Sequence, residues 1–162
     1  NHFITITRGN IMTKLLSALL LVLFTACNSF AEFSAENVRI VTSKAVGFGM
    51  YQERSSNAFK SGDPIIIYAE LVDFAYKDNG EKYEFGVDII GAVEDMNGNV
   101  LADGIKMGTS SFASFHKNKE VFLNITFNLS GVPDGEYILI SRLKDLISRD
   151  WYDARIPVRI SQ

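Results

Sequence analysis

The chain has 162 residues, of which 47 % are hydrophobic and 12 % aromatic, and it carries a formal net charge of −3. A net-acidic chain without a basic cluster argues against nucleic acid as a partner, because neutralising phosphates requires clustered Lys and Arg. The single cysteine, Cys27, lies near the start of the chain. No disulfide is therefore expected in the rest of the chain, and its stability must come from an apolar core.

Residues 1–31 have the pattern of upstream sequence followed by an export signal. Lys14 precedes an apolar run of about ten residues, 15–24, which is too short to span a membrane as a helix. Ser29 and Ala31 are the small residues of an A-x-A-like cleavage site. The pattern predicts a signal-peptide helix that is removed by cleavage directly after Ala31.

Two features leave the start of the mature chain open. Met12 fits a start codon, so residues 1–11 are excluded from the fold prediction. Cys27 follows Phe-Thr-Ala at 24–26, which resembles the lipobox of bacterial lipoproteins, although that family prefers Leu where Phe24 stands. The resemblance implies an alternative in which Cys27 becomes the lipidated first residue of an envelope lipoprotein.

Residues 32–162 are predicted to form a single domain, since their length is normal for one. Apolar residues alternate with polar ones, most clearly where Leu123, Ile125 and Phe127 share one face of a strand. The main predicted strands, in chain order, are 65–72, 85–93, 121–129, 137–143 and 154–160. A weaker alternation covers 107–114.

Turn residues separate these runs, and Asn97-Gly98 predicts a hairpin. The helical spacing within 143–151 is short, and we interpret it as a turn between the last two strands. Pro157 cannot donate to a sheet ladder, so the last strand is expected to pair on one side only near it. About seven or eight short strands with regular turns predict an all-β fold, an antiparallel sandwich.

A family resemblance is carried by residues 129–137, Leu-Ser-Gly-Val-Pro-Asp-Gly-Glu-Tyr. This stretch resembles the corner between strands E and F of immunoglobulin-like and fibronectin-III-like domains. The resemblance implies an immunoglobulin-like β-sandwich in which Tyr137 is the structural corner tyrosine and its hydroxyl bonds to nearby backbone. The whole region also resembles small exported proteobacterial proteins of unassigned activity. The Cys pair and central Trp of antibody domains are missing.

The sequence offers no set of residues for catalysis. His116 is the one histidine after residue 32, and it lies in a polar loop without a nucleophile elbow. Asp88 and Glu94 fall on the outward face of a predicted strand, as solvated acids do. The loose acidic group Asp145, Asp150 and Asp153, beside Trp151, is a candidate cation site. We therefore predict no enzyme, no cofactor and no metal, and a hydrolase-type enzyme is the third interpretation.

Aromatic residues near the predicted turns form the candidate binding surface: Phe74, Tyr76, Tyr83, Trp151 and Tyr152. Exposed aromatics at one end of a sandwich bind glycans, peptides or partner domains, although the same residues can instead close the ends of the core. We predict an exported, periplasmic or envelope-bound module that binds an unknown protein or glycan through these loops or a strand edge. A membrane enters only through the signal peptide or a lipid on Cys27.

Overall fold

The structure, a computed structural model, describes residues 32–162. The predicted signal peptide, its cleavage site and Cys27 lie outside the described residues. The described part is all-β, with no helix and therefore no helical segment able to cross a membrane. Its nine strands are β1 (Ser34–Val41), β2 (Ala58–Lys60), β3 (Pro64–Val72), β4 (Lys77–Asp78), β5 (Tyr83–Asp95), β6 (Val100–Ser114), β7 (Val121–Asn128), β8 (Gly135–Asp145) and β9 (Trp151–Ser161).

The strands form two sheets. The smaller sheet has the order β1-β3-β7 and is antiparallel throughout. The larger sheet runs β2-β9-β8-β5, with β6 on the other edge of β5 and the short β4 beside the first residues of β5. The sequence predicts only antiparallel pairing, and this prediction is wrong for β2, which pairs with β9 in parallel.

Pro157 explains where the parallel pairing begins. On the edge of β9 that faces β8, Pro157 is opposite Ile138. On the other side the β2 register starts only at Arg159, whose N–H donates to the carbonyl of Asn57 at 2.9 Å. The missing N–H of Pro157 thus keeps that part of β9 one-sided, as the sequence predicts.

One hydrophobic core cluster takes residues from both sheets. The alternating residues Leu123, Ile125 and Phe127 of β7 are all buried, together with Val87 of β5 and Leu139 of β8. Fully burying such a side chain stabilises the fold by about 1.5–3 kcal/mol. The period-two pattern in the sequence therefore correctly identifies the faces of these strands.

The outer face of the smaller sheet is covered by residues 42–57. The sequence predicts no strand and no site in this segment. Tyr68 of β3 is completely buried beneath this segment, in a second cluster with Val41 and Ala45. The side-chain amide of Asn124 holds the segment in place: its Oδ1 accepts from the N–H of Ala45 at 2.8 Å, and its Nδ2 donates to the Ala45 carbonyl at 3.0 Å.

The hairpin predicted at Asn97-Gly98 joins β5 to β6 and is confirmed. Its second strand is longer than predicted, because β6 has 15 residues rather than the weak run 107–114. The added residues 100–106 are irregular: between Val100 and Gly108 the register against β5 shifts three times, and Gly104 (68°) and Gly108 (133°) have positive φ angles. These are β-bulges, where an extra residue interrupts the alternation that would mark a strand.

Candidate functional site

An aromatic cleft opens on the side of the molecule where β6 and β7 are the outermost strands of their sheets. Its volume is about 360 Å³. We call this cavity the aromatic cleft. The residues that line it include Tyr76, Tyr83, Phe85, Phe112, Asn118 and Glu120. The walls are mainly apolar.

Strand pairing places three of these rings. Tyr83 and Phe85 are two residues apart on β5, so they share a face of the sheet. Phe112 of β6 is directly opposite Phe85, and their rings are nearly parallel, at an interplanar angle of 9° and a centroid distance of 6.0 Å. Phe85 is buried, whereas 46 % of Phe112 is exposed, so Phe112 forms the solvent-side wall.

Tyr76 closes the cleft from the segment between β3 and β5. Its hydroxyl donates to the carbonyl of Asn118, and its ring meets that of Tyr83 edge-on at 6.1 Å. Burial raises the pKa of Tyr76 above its ordinary value, with an opposing contribution from the bond to Asn118. The phenol therefore stays neutral near pH 7, and the bond joins this wall to the loop between β6 and β7.

Lys117 lies over a ring that lines the cleft, and Lys82 lies over a neighbouring ring outside its lining. The Nζ of Lys117 lies 5.4 Å from the ring centroid of Tyr83, and the Nζ of Lys82 lies 5.1 Å from that of Phe115. Every ion pair among residues 32–162 involves an arginine, so neither lysine has a carboxylate within 4.0 Å there. Both ammonium groups remain able to meet an anionic group on a ligand.

The structure separates the five aromatic residues proposed from the sequence. Tyr76 and Tyr83 line the cleft, and half-buried Phe74 packs behind it, 4.2 Å from the ring of Phe85. Tyr152 is half-buried against the core. Trp151 is 48 % exposed, and Lys144, its partner across β8 and β9, stands over its ring at 4.8 Å. No aromatic pair among the described residues joins Trp151 to the cleft.

Sequence reasoning missed the pairing of Phe112 with Phe85. Starting from the observed pair of Glu94 with Val100, a regular hairpin would place Thr109 opposite Phe85. The three bulges in between move the register by three residues and bring Phe112 there instead. The two positive-φ glycines of β6 were the available signal, because glycine inside a strand often marks a bulge.

Asp145, the buried member of the predicted acidic group, has a structural role. The buried carboxylate of Asp145 accepts from the N–H of Ala75 at 2.7 Å with one oxygen, and from Ile147 at 2.7 Å and Ser148 at 3.2 Å with the other. These bonds hold the turn between β8 and β9 and the segment that carries Tyr76. Within residues 32–162 no group of three or more His, Cys, Asp or Glu side chains is placed to hold a metal ion.

Two further residues from the sequence analysis have simple positions. His116 is exposed in the loop between β6 and β7. The hydroxyl of buried Tyr137 donates to the carbonyl of Pro133 at 2.7 Å, across the turn that leads into β8. That bond fixes the corner between β7 and β8.

Comparison with known proteins identifies no family: no family model and no curated protein matches the chain. Among solved structures it is similar to a superoxide reductase (neelaredoxin) from Ignicoccus hospitalis, with 9 % identity and a TM-score of 0.40 over 78 % of this chain and 82 % of that one. An alkylpurine DNA glycosylase, AlkC, from Pseudomonas fluorescens has 10 % identity and a TM-score of 0.42 over 82 % of this chain and 31 % of that one.

A third similar structure is a conjugative transposon lipoprotein from Bacteroides eggerthii. It has 14 % identity and a TM-score of 0.36, over 79 % of this chain and 97 % of that one. At these identities and TM-scores, none of the three proteins supports a conclusion about what this chain does.

Proposed function

We propose that this chain is an exported, non-enzymatic binding module with an immunoglobulin-like fold, and that it recognises a protein partner through the aromatic cleft. The observation that carries the proposal is the cleft itself. Its rings are held by mutual packing and by the Tyr76 hydrogen bond, yet 46 % of Phe112 remains exposed to solvent. A binding surface that is already ordered loses little conformational freedom when a partner docks.

The order of the strands supports the immunoglobulin-like assignment. The sheet β1-β3-β7 corresponds to strands A, B and E, and the order β9-β8-β5-β6 corresponds to G, F, C and C′ of variable-type domains. The bond from Tyr137 to Pro133 lies at the corner between the strands that would be E and F. Domains of this architecture commonly act by binding, although the fold alone does not define a function.

The chemistry of the cleft favours a protein over a glycan. Its volume of about 360 Å³ is at the lower end of the range for ligand pockets, about 300–1,000 Å³. The face of Phe85 that a sugar could stack on is covered by Phe112, and the rings of Phe74 and Tyr76 pack around the rest of it. An apolar side chain inserted from a partner makes better use of such walls than a hydroxyl-rich sugar does.

A photo-crosslinking experiment tests this proposal. A photoreactive phenylalanine analogue is placed at Phe112 and, in a control chain, at the equally exposed Trp151. We expect a discrete protein adduct from position 112 and none from position 151. In binding assays with the partner identified in this way, Phe112→Ser should weaken affinity about thirtyfold, because truncating a central interface side chain costs about 2 kcal/mol. A carbohydrate adduct, or adducts from both positions alike, would contradict the proposal.

The alternative mature form is an envelope lipoprotein anchored through Cys27, supported by the lipobox-like residues 24–26. The cleft and its partner would be the same in both forms, and only the attachment to the membrane would differ. An intact mass that corresponds to a chain starting at Glu32 supports simple export, whereas a lipid-modified Cys27 as first residue supports the lipoprotein.

A further inference from the structure

We infer that the partner contributes an extended peptide strand, which pairs with the free edge of β6 at Thr109–Ser114 and directs alternate apolar side chains into the aromatic cleft. This inference rests on the proposed function and specifies its ligand. Strand addition of this kind takes affinity from main-chain hydrogen bonds and specificity from pockets for every second side chain.

The first observation is that β6 has an unpaired edge. Its only partner strand in residues 32–162 is β5, and none of its 15 residues is buried. The N–H and C=O groups along the other edge therefore face solvent, which makes them a template for another strand.

The second observation limits where a strand can be added. Between Val100 and Gly108 the register against β5 shifts three times, so the edge there is kinked. From Gly108 to Ser114 the pairing with Ile89–Tyr83 is continuous, without a shift. Only this half of β6 offers the regular spacing of donors and acceptors that an extended peptide needs.

The third observation is that the regular half borders the cleft. Phe112, Ala113 and Ser114 of β6 line one side of it, and Val121 and Phe122 of the smaller sheet line the other. A strand beside β6 continues the larger sheet, so its inward side chains, every second residue, fall on the same face as Phe112. The cleft lies at that face and is lined mainly by apolar side chains.

The lysines near the cleft predict a charge on the peptide. Lys117 lies over the cleft ring of Tyr83, and Lys82 lies over Phe115, which follows the cleft residue Ser114 in the chain, whereas the lining itself holds one acidic residue, Glu120. An acidic residue next to the apolar positions of the peptide would meet these ammonium groups. The expected ligand is thus an extended segment with alternating apolar residues and an adjacent Asp or Glu.

A second copy of this chain fits the same edge less well. If two β6 strands paired, each would present Ser110, Phe112 and Ser114 on the inward face, because alternate residues of β6 lie on the same face as Phe112. Two of the three are hydroxyl side chains, which are poorly matched to apolar walls. A peptide from a different protein is therefore the occupant that the chemistry of the cleft favours.

The test selects ligands from a phage-displayed library of random peptides on the immobilised full chain and then measures the tightest synthetic peptide by calorimetry. The peptide is resynthesised with a single backbone N-methyl group at each position in turn. We expect a loss of at least about tenfold in affinity at alternate positions and little change between them, since only every second amide bonds to the β6 edge. Phe112→Ser should also weaken binding about thirtyfold, as it does for the partner, whereas Leu101→Ser, a similarly exposed residue in the bulged half, should not weaken it.

Each other outcome overturns the inference. A selection without binders, or binders without alternating apolar residues, would exclude a strand as the ligand. Dependence on Phe112 without any periodic effect of N-methylation would also overturn strand pairing while leaving the proposed function intact. Concentration-dependent dimers that Phe112→Ser abolishes would make a second copy the occupant instead.

Discussion

The hydroxyl of Tyr68, a completely buried residue, is held in a network of hydrogen bonds. Its hydroxyl accepts from the N–H of Gly49 at 2.7 Å and donates to Glu70 Oε1 at 2.7 Å, and Asn37 Nδ2 donates to the other Glu70 oxygen at 2.6 Å. Burial, followed by the bond to Glu70, raises the pKa of Tyr68 to about 12. This network fastens residues 42–57 to the smaller sheet.

The raised pKa predicts how stability depends on alkaline pH. In the unfolded chain Tyr68 loses its proton near its ordinary pKa of 10.0. In the folded chain it loses the proton only when the pH reaches its raised pKa of about 12. Between these values the folded chain holds more protons than the unfolded chain, so the free energy of unfolding falls as pH rises. The contribution, about 2 to 3 kcal/mol, is fully present below about pH 10 and is lost by about pH 12.

Urea unfolding of Tyr68→Phe checks this expectation. Near neutral pH the variant should be less stable by about 1–2 kcal/mol, because the Gly49 N–H loses its acceptor. Above about pH 10 the gap to the wild type should close, since the variant has no group to titrate at this site. Tyr51→Phe, which keeps the ring packed 4.3 Å from that of Tyr68, is the control and should retain the wild-type alkaline loss. An undiminished gap at high pH would show that Tyr68 does not titrate as described.

At the scale of the elements, β6 combines an irregular half with a regular half. Gly104 adopts a φ of 68° in the irregular half, and nothing lies within 4 Å of the position a Cβ would take there. Any cost of a side chain at this position is therefore a backbone cost rather than a steric clash.

Gly104→Ala is accordingly expected to lower the free energy of unfolding by about 1–2 kcal/mol, the penalty for an L-residue in the left-handed region. Ser111→Ala in the regular half is the matched control and should change it by less than about 0.5 kcal/mol. Chemical denaturation of both variants makes the comparison. Equal effects at the two positions would mean that the bulge does not depend on the glycine.

β6 also shows where sequence reasoning succeeds and where it ends. Alternation identifies the buried faces of β7 and β8, because a core side chain must recur at every second residue. Bulges break this local rule, so the register that sets Phe112 against Phe85 could not be read from spacing. The position of residues 42–57 was missed for another reason: the segment is held over the smaller sheet through Asn124, which is 79 residues away from Ala45 in the chain.

At the scale of the whole molecule, the chain itself covers one face of the smaller sheet and one edge of the larger sheet. Residues 42–57 cover the smaller sheet, and β2 pairs with the outer edge of β9. Cross-strand ion pairs lie over the larger sheet, such as Arg142 with Asp103 at 2.6 Å. The open side carries the aromatic cleft and, farther along, a second cavity of about 390 Å³ beside Met107.

Hydrogen–deuterium exchange of the β6 amides, read by NMR with and without the selected peptide, tests most directly whether this open side is the binding face. We predict that the peptide slows exchange at alternate amides of Thr109–Ser114 and leaves Val100–Asp103 unchanged. Unchanged exchange throughout β6, with protection on residues 42–57 or around Trp151 instead, would contradict it.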